Sequence, residues 1–209
     1  MSRVYLRIIL DALFPPTAHE RLLRTVTAEQ FVTLYLPTAH YNCIALAPYS
    51  SRRIQAAVAA CKFEKNHHAA TLLAALFAYW LETHTLVGTT ILIPIPLSHA
   101  RERERGFNQV TRVLEHLPCH EHIEIAKHWL IRPQDTARQT SLGRQARLKN
   151  MNDAFVMTPR LTTVDWTPIS RIIICDDVMT TGSTLGAARA ALEKVVPKHV
   201  QILCLAWAH

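Results

Sequence analysis

One segment constrains the fold of this chain more than any other. It joins an apolar run, two acids and a hydroxyl-rich turn. The run at 172–175 (IIIC) is typical of a buried strand, and Asp176 and Asp177 follow it directly. The next residues, 178–184 (VMTTGST), carry hydroxyls and one glycine before a helical pattern begins. A strand that leads through a short turn into a helix is a building unit of parallel α/β sheets, which bind ligands at the carboxyl ends of their strands.

The rest of the chain repeats this alternation of apolar strands and amphipathic helices. The patterns predict helices over 51–63, 68–81, 108–117 and 184–196, and strands over 90–93, 123–131, 172–175 and 200–207. In the second helix, the side chains predicted to face the core are Leu72, Leu76, Tyr79 and Trp80. We therefore predict an α/β fold with a mostly parallel sheet flanked by helices.

The residue types in the acidic segment indicate a phosphorylated ribose as the ligand. Adjacent carboxylates accept hydrogen bonds from vicinal hydroxyls, such as those of a ribose, and a glycine lets the backbone approach a ligand closely. Backbone N–H groups at a helix start bind phosphate. Single residues have simpler alternatives, because Asp176 alone is compatible with a helix-entry acid and Thr181 or Ser183 with an N-cap. Neither a Walker A loop nor a G-x-G-x-x-G motif occurs in the sequence.

The acidic segment resembles the phosphoribosyl-pyrophosphate (PRPP) signature of type I phosphoribosyltransferases. Further segments are similar to the ComF family, a competence-associated group within that superfamily: CKFE at 61–64, IPIPL at 93–97, RGFNQ at 105–109 and QTSLGRQARLKNMNDAF at 139–155. The similarity extends over about residues 46–209. It implies a phosphoribosyltransferase-like domain at 46–209, preceded by a small N-terminal appendage at 1–45.

The resemblance also implies a role for each motif. Asp176 and Asp177 would be the catalytic carboxylates, holding the ribose hydroxyls and stabilising positive charge on the ribose. The 5′-phosphate would lie against Thr180, Thr181, Gly182, Ser183 and Thr184. The pyrophosphate, accompanied by Mg²⁺, would contact Pro94, Ile95, Pro96, Leu97, Arg105, Asn108 and Gln109. A loop that either closes over the site as a mobile lid or contacts nucleic acid would carry Arg138, Arg144, Arg147 and Lys149.

Other charged residues have open or simpler interpretations. Lys62 fits a surface lysine at a helix end as well as a ligand contact. Arg101 and Arg103 belong to an alternating-charge segment that we expect to be solvated.

The N-terminal appendage departs from the family pattern. Many ComF proteins carry a four-cysteine zinc module there, but Cys43 is the only cysteine before Cys61. We therefore predict no zinc site in residues 1–45 and no metal bound by protein ligands alone. A mixed site from His19, His40 and Cys43 is the alternative, although its spacing is not a recognised zinc pattern. The run at 119–122 (CHEH) is interpreted as a polar turn.

Composition bears on partners and compartment. The 209 residues include 23 Lys and Arg against 16 Asp and Glu, and the resulting charge of +7 favours polyanionic partners. The scattered cysteines, without a C-x-x-C pair, indicate reduced thiols and hence a cytoplasmic protein. No apolar stretch is long enough to span a bilayer, and peripheral attachment at the inner face of the membrane stays open.

Two functions are compatible with these features. The first is a ComF-like protein of natural transformation that binds PRPP and single-stranded DNA, with the DNA-uptake machinery as a further partner. The alternative is an active PRPP-dependent phosphoribosyltransferase of nucleotide metabolism or salvage. No residue pattern identifies an acceptor base or amine for the second function.

Overall fold

The sheet confirms the predicted α/β class. The computed structural model describes residues 15–40, 42–84, 87–133, 154–159 and 163–209. Its main sheet has the strand order β1-β2-β8-β7-β3-β4, and every neighbouring pair is parallel except β1 with β2. In chain order these strands are β1 (Thr38–His40), β2 (Cys43–Ala47), β3 (Thr89–Pro94), β4 (Ile123–Ile125), β7 (Ile169–Val178) and β8 (Gln201–Ala208). A second, antiparallel pair joins β5 (Leu130–Ile131) to β6 (Val156–Met157).

The helices match the predicted periodic segments and add three that the sequence analysis did not predict. In chain order they are α1 (Ala18–Leu23), α2 (Ala28–Val32), α3 (Arg52–Phe63), α4 (His67–Glu82), α5 (His99–Arg105), α6 (Gln109–Glu115) and α7 (Ser183–Glu193). The unpredicted ones are the short helices α1, α2 and α5. Helix α5 has no buried residue and therefore no apolar periodicity, and its start is marked only by the Ser98 hydroxyl, which accepts from the Arg101 N–H.

Two predicted features were wrong in detail. The segment 123–131 is not one strand, because β4 pairs with β3 whereas β5 pairs with β6. The chain leaves the main sheet after the Ala126 N–H donates to the Leu92 carbonyl. Tyr79 does not enter the core, since it is 40% exposed and packs edge-on against Tyr35.

Both faces of β7 are buried, which explains its continuous apolar sequence. Ile173 and Cys175 belong to the core formed with α3, α4 and α6, whereas Ile172 and Ile174 belong to the core formed with α7. The first core also contains Trp207 of β8, whose indole N–H donates to the Leu73 carbonyl at 2.8 Å. Strands covered by helices on both faces read as apolar runs rather than as alternating patterns.

The N-terminal helices pack onto the same core as the sheet. Leu23 and Phe31 are buried in the cluster that includes α3 and α4. Thr27 begins α2 with a capping box that uses the Gln30 side chain. The predicted boundary between residues 1–45 and 46–209 stays a prediction.

Two observations bear on compartment. None of the five cysteines, all of which lie in described segments, forms a disulfide. Within the described ranges, no helix is both long enough and apolar enough to cross a membrane. The cytoplasmic location stays a prediction.

Gly88 and Gly186 form a matched pair that tests the packing at the start of β3. Gly88 has φ +68°, and a Cβ there would lie 2.9 Å from the Pro168 carbonyl oxygen, whereas a Cβ at Gly186 in α7 meets no atom within 4 Å. We expect Gly88→Ala to lower the free energy of unfolding by about 1–3 kcal/mol. Gly186→Ala should raise it by about 0.5–1 kcal/mol. Urea denaturation measures both, and shifts of the same sign would contradict the packing at Gly88.

Candidate functional site

A cleft of about 430 Å³ opens where β3 and β7 end. It lies at the carboxyl edge of the sheet, where parallel α/β sheets bind ligands. Its lining residues are Tyr49, Lys62, Ile95, Pro96, Leu97, Arg101, Arg105, Gln109, Arg132, Asp176, Asp177, Val178, Thr180 and Thr184. Residues of four sequence motifs therefore meet in one place, although the motifs, at 61–64, 93–97, 105–109 and 172–184, are far apart in the sequence.

The backbone pairing of β3 and β7 brings the predicted pyrophosphate loop beside the two acids. Pro94 lies opposite Cys175 in the parallel register, and the Ile95 N–H donates to the Cys175 carbonyl at 2.9 Å. β7 is longer than predicted and extends through Asp176 and Asp177. Pro94 itself is buried in β3, so the residues of this loop that line the cleft are Ile95, Pro96 and Leu97.

Asp177 is held on both carboxylate oxygens. Lys62 Nζ lies 3.0 Å from Oδ1, and the Gln109 side-chain amide donates to Oδ2. Arg105 Nη1 in turn donates to Gln109 Oε1 at 2.8 Å. Arg105, Gln109, Asp177 and Lys62 therefore form one continuous polar chain along the floor of the cleft. Lys62 was open to interpretation as a surface lysine or as a ligand contact. Its position in the cleft, paired with Asp177, favours the ligand contact.

Arg105 retains an unused donor inside this chain. Its Nε is buried and has no hydrogen-bond partner, while its guanidinium lies 5.2 Å from the centre of the Phe63 ring. A buried donor without a partner is costly, and an anionic ligand in the cleft offers an acceptor for it.

The environment of Asp176 favours its protonated form. Burial, and secondly the adjacent charge of Asp177, raise the pKa of Asp176 from 3.8 to about 7. The Asp177 N–H, which donates to Asp176 Oδ1 at 2.8 Å, and the charges of Lys62 and Arg101 oppose this rise. Two neighbouring carboxylates whose environments differ in this way are typical of functional sites.

The turn after the acids leaves the start of α7 open to a ligand. Gly182 is the N-cap residue, with φ 70°, and has no side chain to cap the helix, although Thr181 Oγ1 accepts from the Ser183 N–H at 3.4 Å. Thr181 and Ser183 instead hydrogen-bond to each other through their hydroxyls at 2.7 Å. A hollow of about 40 Å³, lined by residues 178–185 with Asp176, lies at this point. Its hydroxyls and backbone N–H groups are donors suited to phosphate.

Asn108 does not line the cleft. Its side-chain amide donates to the Ile95 carbonyl at 2.8 Å, and its Oδ1 accepts from the Val110 and Thr111 N–H groups at the start of α6. The residue thus ties α6 to the loop after β3. Gln109, the next residue, reaches Asp177 directly.

Sequence reasoning missed three residues that line the cleft: Tyr49, Arg101 and Arg132. Arg101 was expected to be solvated, but it precedes Arg105 by four residues on α5, and this helical spacing places both arginines on one face. Because the helix was not predicted, the four-residue spacing of Arg101 and Arg105 could not be recognised from the sequence. Arg132 follows β5 and precedes the family-like stretch at 139–155, and Tyr49 follows β2; the sequence assigned a site role to neither.

The cleft lining carries more cations than acids. Lys62, Arg101, Arg105 and Arg132 line it together with the two aspartates. This composition favours a polyanionic ligand that also presents hydroxyl donors to the carboxylates.

Two further groups of residues were predicted as site residues. Arg138, Arg144, Arg147 and Lys149 lie outside the described residues. His19, one residue of the alternative mixed metal site, instead pairs with Glu64, with Nδ1 at 2.9 Å from Oε1. Across the described ranges, no group of three or more His, Cys, Asp or Glu side chains is placed to hold a metal ion.

Fold and cleft together define an α/β protein with a cationic cleft that also holds two adjacent carboxylates. Known proteins of similar sequence are named for competence or DNA utilization. The chain is 32% identical to competence protein F of Haemophilus influenzae over 126 residues, 60% of this chain and 54% of that protein. It is 38% identical to competence protein ComFC of Bacillus subtilis over 105 residues, 50% and 39% of the two chains. DNA utilization protein YhgH of Escherichia coli O157:H7 is 30% identical over 116 residues, 54% and 48% of the two chains.

These similarities support a ComF-family protein, as the sequence motifs indicated. No family model matches the chain. The aligned part spans about half the length, or less, of the curated relatives.

The raised pKa of Asp176 predicts a pH-dependent stability. Between its unfolded value near 3.8 and about 7, the folded protein binds more protons than the unfolded chain, so stability falls as pH rises. Asp176→Asn should remove this loss, on the order of 2 kcal/mol between pH 5 and pH 8. Urea denaturation at both pH values measures it. The exposed Glu104→Gln serves as the control, and an equal pH dependence in wild type and Asp176→Asn would refute the assignment.

Proposed function

We propose that this protein acts in competence and DNA uptake, and that its cleft binds PRPP together with Mg²⁺. One observation carries the ligand assignment: two adjacent carboxylates at the end of β7 stand among four cationic side chains and beside an uncapped helix start. Sugar hydroxyls suit the carboxylates, and phosphates suit the cations and the helix. The role in DNA uptake is supported by the names of the similar proteins.

In this proposal the ribose lies over the aspartates. Asp177 is fixed in position by Lys62 and Gln109, so it is a preorganised acceptor for a hydroxyl. Asp176 accepts the neighbouring hydroxyl when it is ionised, which makes ribose binding stronger as pH rises through about 7. The 5′-phosphate then faces the start of α7, where residues 180–184 supply hydroxyl and N–H donors.

The pyrophosphate lies toward the arginines. Arg101, Arg105 and Arg132 converge on the same cleft as the loop at 95–97. Arg105 Nε, buried and without a partner, gains an acceptor when an anion enters. Arginine suits this task because its fork of donors matches phosphate oxygens.

The donor set also fits Mg²⁺. Magnesium in proteins is commonly held by one or two carboxylates together with substrate phosphates rather than by an all-protein cage. Asp176 and Asp177 are the carboxylates that would hold it, and a cation there would offset their mutual repulsion, which contributes to the raised pKa of Asp176. When bound, the ion supplies neutralisation of the pyrophosphate charge.

Single-stranded DNA is the proposed macromolecular partner. The net charge of +7 favours a polyanion. The basic stretch that includes Arg144 and Arg147 adds charge close in sequence to Arg132 of the cleft. Two of the similar proteins are named for competence, and a third is named for DNA utilization.

A second candidate function is PRPP-dependent phosphoribosyl transfer. It is favoured by the placement of the acids beside arginines able to neutralise a departing pyrophosphate. Release of pyrophosphate from PRPP, measured with and without single-stranded DNA, separates a binding protein from an enzyme.

Arg101 and Arg103 provide a matched test of the PRPP proposal. Both are exposed on α5, but only Arg101 lines the cleft. Isothermal titration calorimetry with PRPP and Mg²⁺ should show binding that Arg101→Gln weakens about fivefold or more. Asp177→Asn should weaken it further, and Arg103→Gln should leave it unchanged. An equal effect of the two arginine substitutions, or wild-type affinity in Asp177→Asn, would contradict the placement of the ligand.

The DNA proposal predicts a steep salt dependence. Affinity for single-stranded DNA should fall as salt rises, because phosphate contacts release counterions. The double substitution Arg144→Ala and Arg147→Ala should lower both the affinity and the slope of log K against log[salt]. Fluorescence anisotropy at several salt concentrations measures this. No binding by the wild-type protein, or a salt-independent signal, would refute the DNA proposal.

A further inference from the structure

An aromatic ring stands exposed beside the mouth of the cleft. Phe63 ends α3, directly after Lys62, and it is 67% exposed. The Arg105 guanidinium lies 5.2 Å from the centre of its ring. The ring is therefore both accessible to a partner and linked to the polar chain on the floor of the cleft.

A second aromatic ring with two cations continues this surface. Lys65 Nζ and the Arg112 guanidinium lie 5.4 Å and 4.5 Å from the centre of the Phe107 ring. Arg112 Nη1 also donates to the Lys65 carbonyl at 2.9 Å. This bond anchors the turn after Phe63, where Lys65 adopts a left-handed backbone conformation with φ 51°. The two aromatic rings, Phe63 and Phe107, thus each lie against cationic side chains, and the Arg112–Lys65 hydrogen bond holds the turn between them in place.

Two acids on the flanking elements, Glu64 and Glu115, have partners of their own, whereas Glu102 of α5 lines the same groove as Phe107 and Arg112. Glu64 accepts from the Thr17 hydroxyl at 2.9 Å and pairs with His19. Glu115, at the end of α6, lies 2.5 Å from Lys127 Nζ. Among the described residues, neither Lys65 nor Arg112 forms an ion pair with a carboxylate, so both can pair with a polyanion, against the single nearby opposing charge of Glu102.

We propose that Phe63, Lys65 and Arg112 form a base-stacking surface for single-stranded DNA. A base stacks on the exposed Phe63 ring, and the adjoining phosphates pair with Lys65 and Arg112. Aromatic platforms combined with a cationic track are how proteins bind single strands without reading their sequence. This inference rests on the proposed DNA binding and deepens it, because it assigns the contact to residues outside the basic stretch at 138–149.

The exposed ring favours a nucleic acid over an acidic protein segment. Every base presents a planar π-face to an aromatic ring, whereas the carboxylates of an acidic segment present none. The surface also places the strand beside Arg105, which contacts both Phe63 and Gln109. A bound strand would therefore lie at the opening of the PRPP cleft.

The test compares oligothymidine with an abasic oligonucleotide of the same length and charge, by fluorescence anisotropy on the full chain. Phe63→Ala and Phe63→Leu should each weaken oligothymidine binding about tenfold, since stacking contributes strongly per base. They should leave abasic binding unchanged. Phe63→Tyr keeps the ring and should retain wild-type affinity. Leu36→Ala, at another exposed apolar side chain that is 61% accessible, is the control and should have no effect.

The outcomes separate this inference from the proposal beneath it. If wild type binds neither oligonucleotide, the DNA-binding proposal and this surface both fail. If wild type binds oligothymidine but Phe63→Ala binds it equally well, only the stacking surface fails. If Phe63→Ala lost the same amount of affinity for the abasic and the thymine strands, stacking would also be overturned. Displacement of both strands by polyglutamate at equal charge concentration would overturn it too.

Discussion

The burial of β7 on both faces, with two acids at its carboxyl end, is the constraint on which the rest of the structure depends. Ile172 to Cys175 fill two cores at once, so the strand cannot shift its register without exposing apolar side chains. That rigidity places Asp176 and Asp177 at a set point on the edge of the sheet. Neighbouring elements then supply the cations around them.

The two acids are stabilised unequally, and this inequality shapes the site. Lys62 and Gln109 engage Asp177, whereas Asp176 receives mainly the N–H of its neighbour and has a pKa raised to about 7. Adjacent carboxylates of like charge that are largely withdrawn from water are costly in a protein that merely needs to fold. Such an arrangement is expected where a ligand supplies the missing partners. In the proposed function those partners are ribose hydroxyls and a magnesium ion.

Sequence alone predicted the elements that carry strong periodicity or a dense motif. The apolar run before Asp176 indicated a buried strand at a ligand-binding edge, and α3 and α4 followed from their apolar spacing. What escaped prediction depended on tertiary contacts. Helix α5 buries no side chain, so its sequence looked like a solvated charged segment, and Arg101 was placed outside the site for that reason. The split of 123–131 arose because β4 finds its partner in β3, whereas β5 finds its partner in a segment beyond residue 153.

Hydrogen–deuterium exchange tests directly whether the cleft at the end of β7 binds PRPP with Mg²⁺. The backbone N–H groups around Gly182 at the start of α7, and that of Leu97 in the loop after β3, are the ones a phosphate or pyrophosphate would engage. We expect PRPP with Mg²⁺ to slow exchange in these two segments, while Mg²⁺ alone does not. Unchanged exchange in both segments, or protection confined to other parts of the chain, would contradict it.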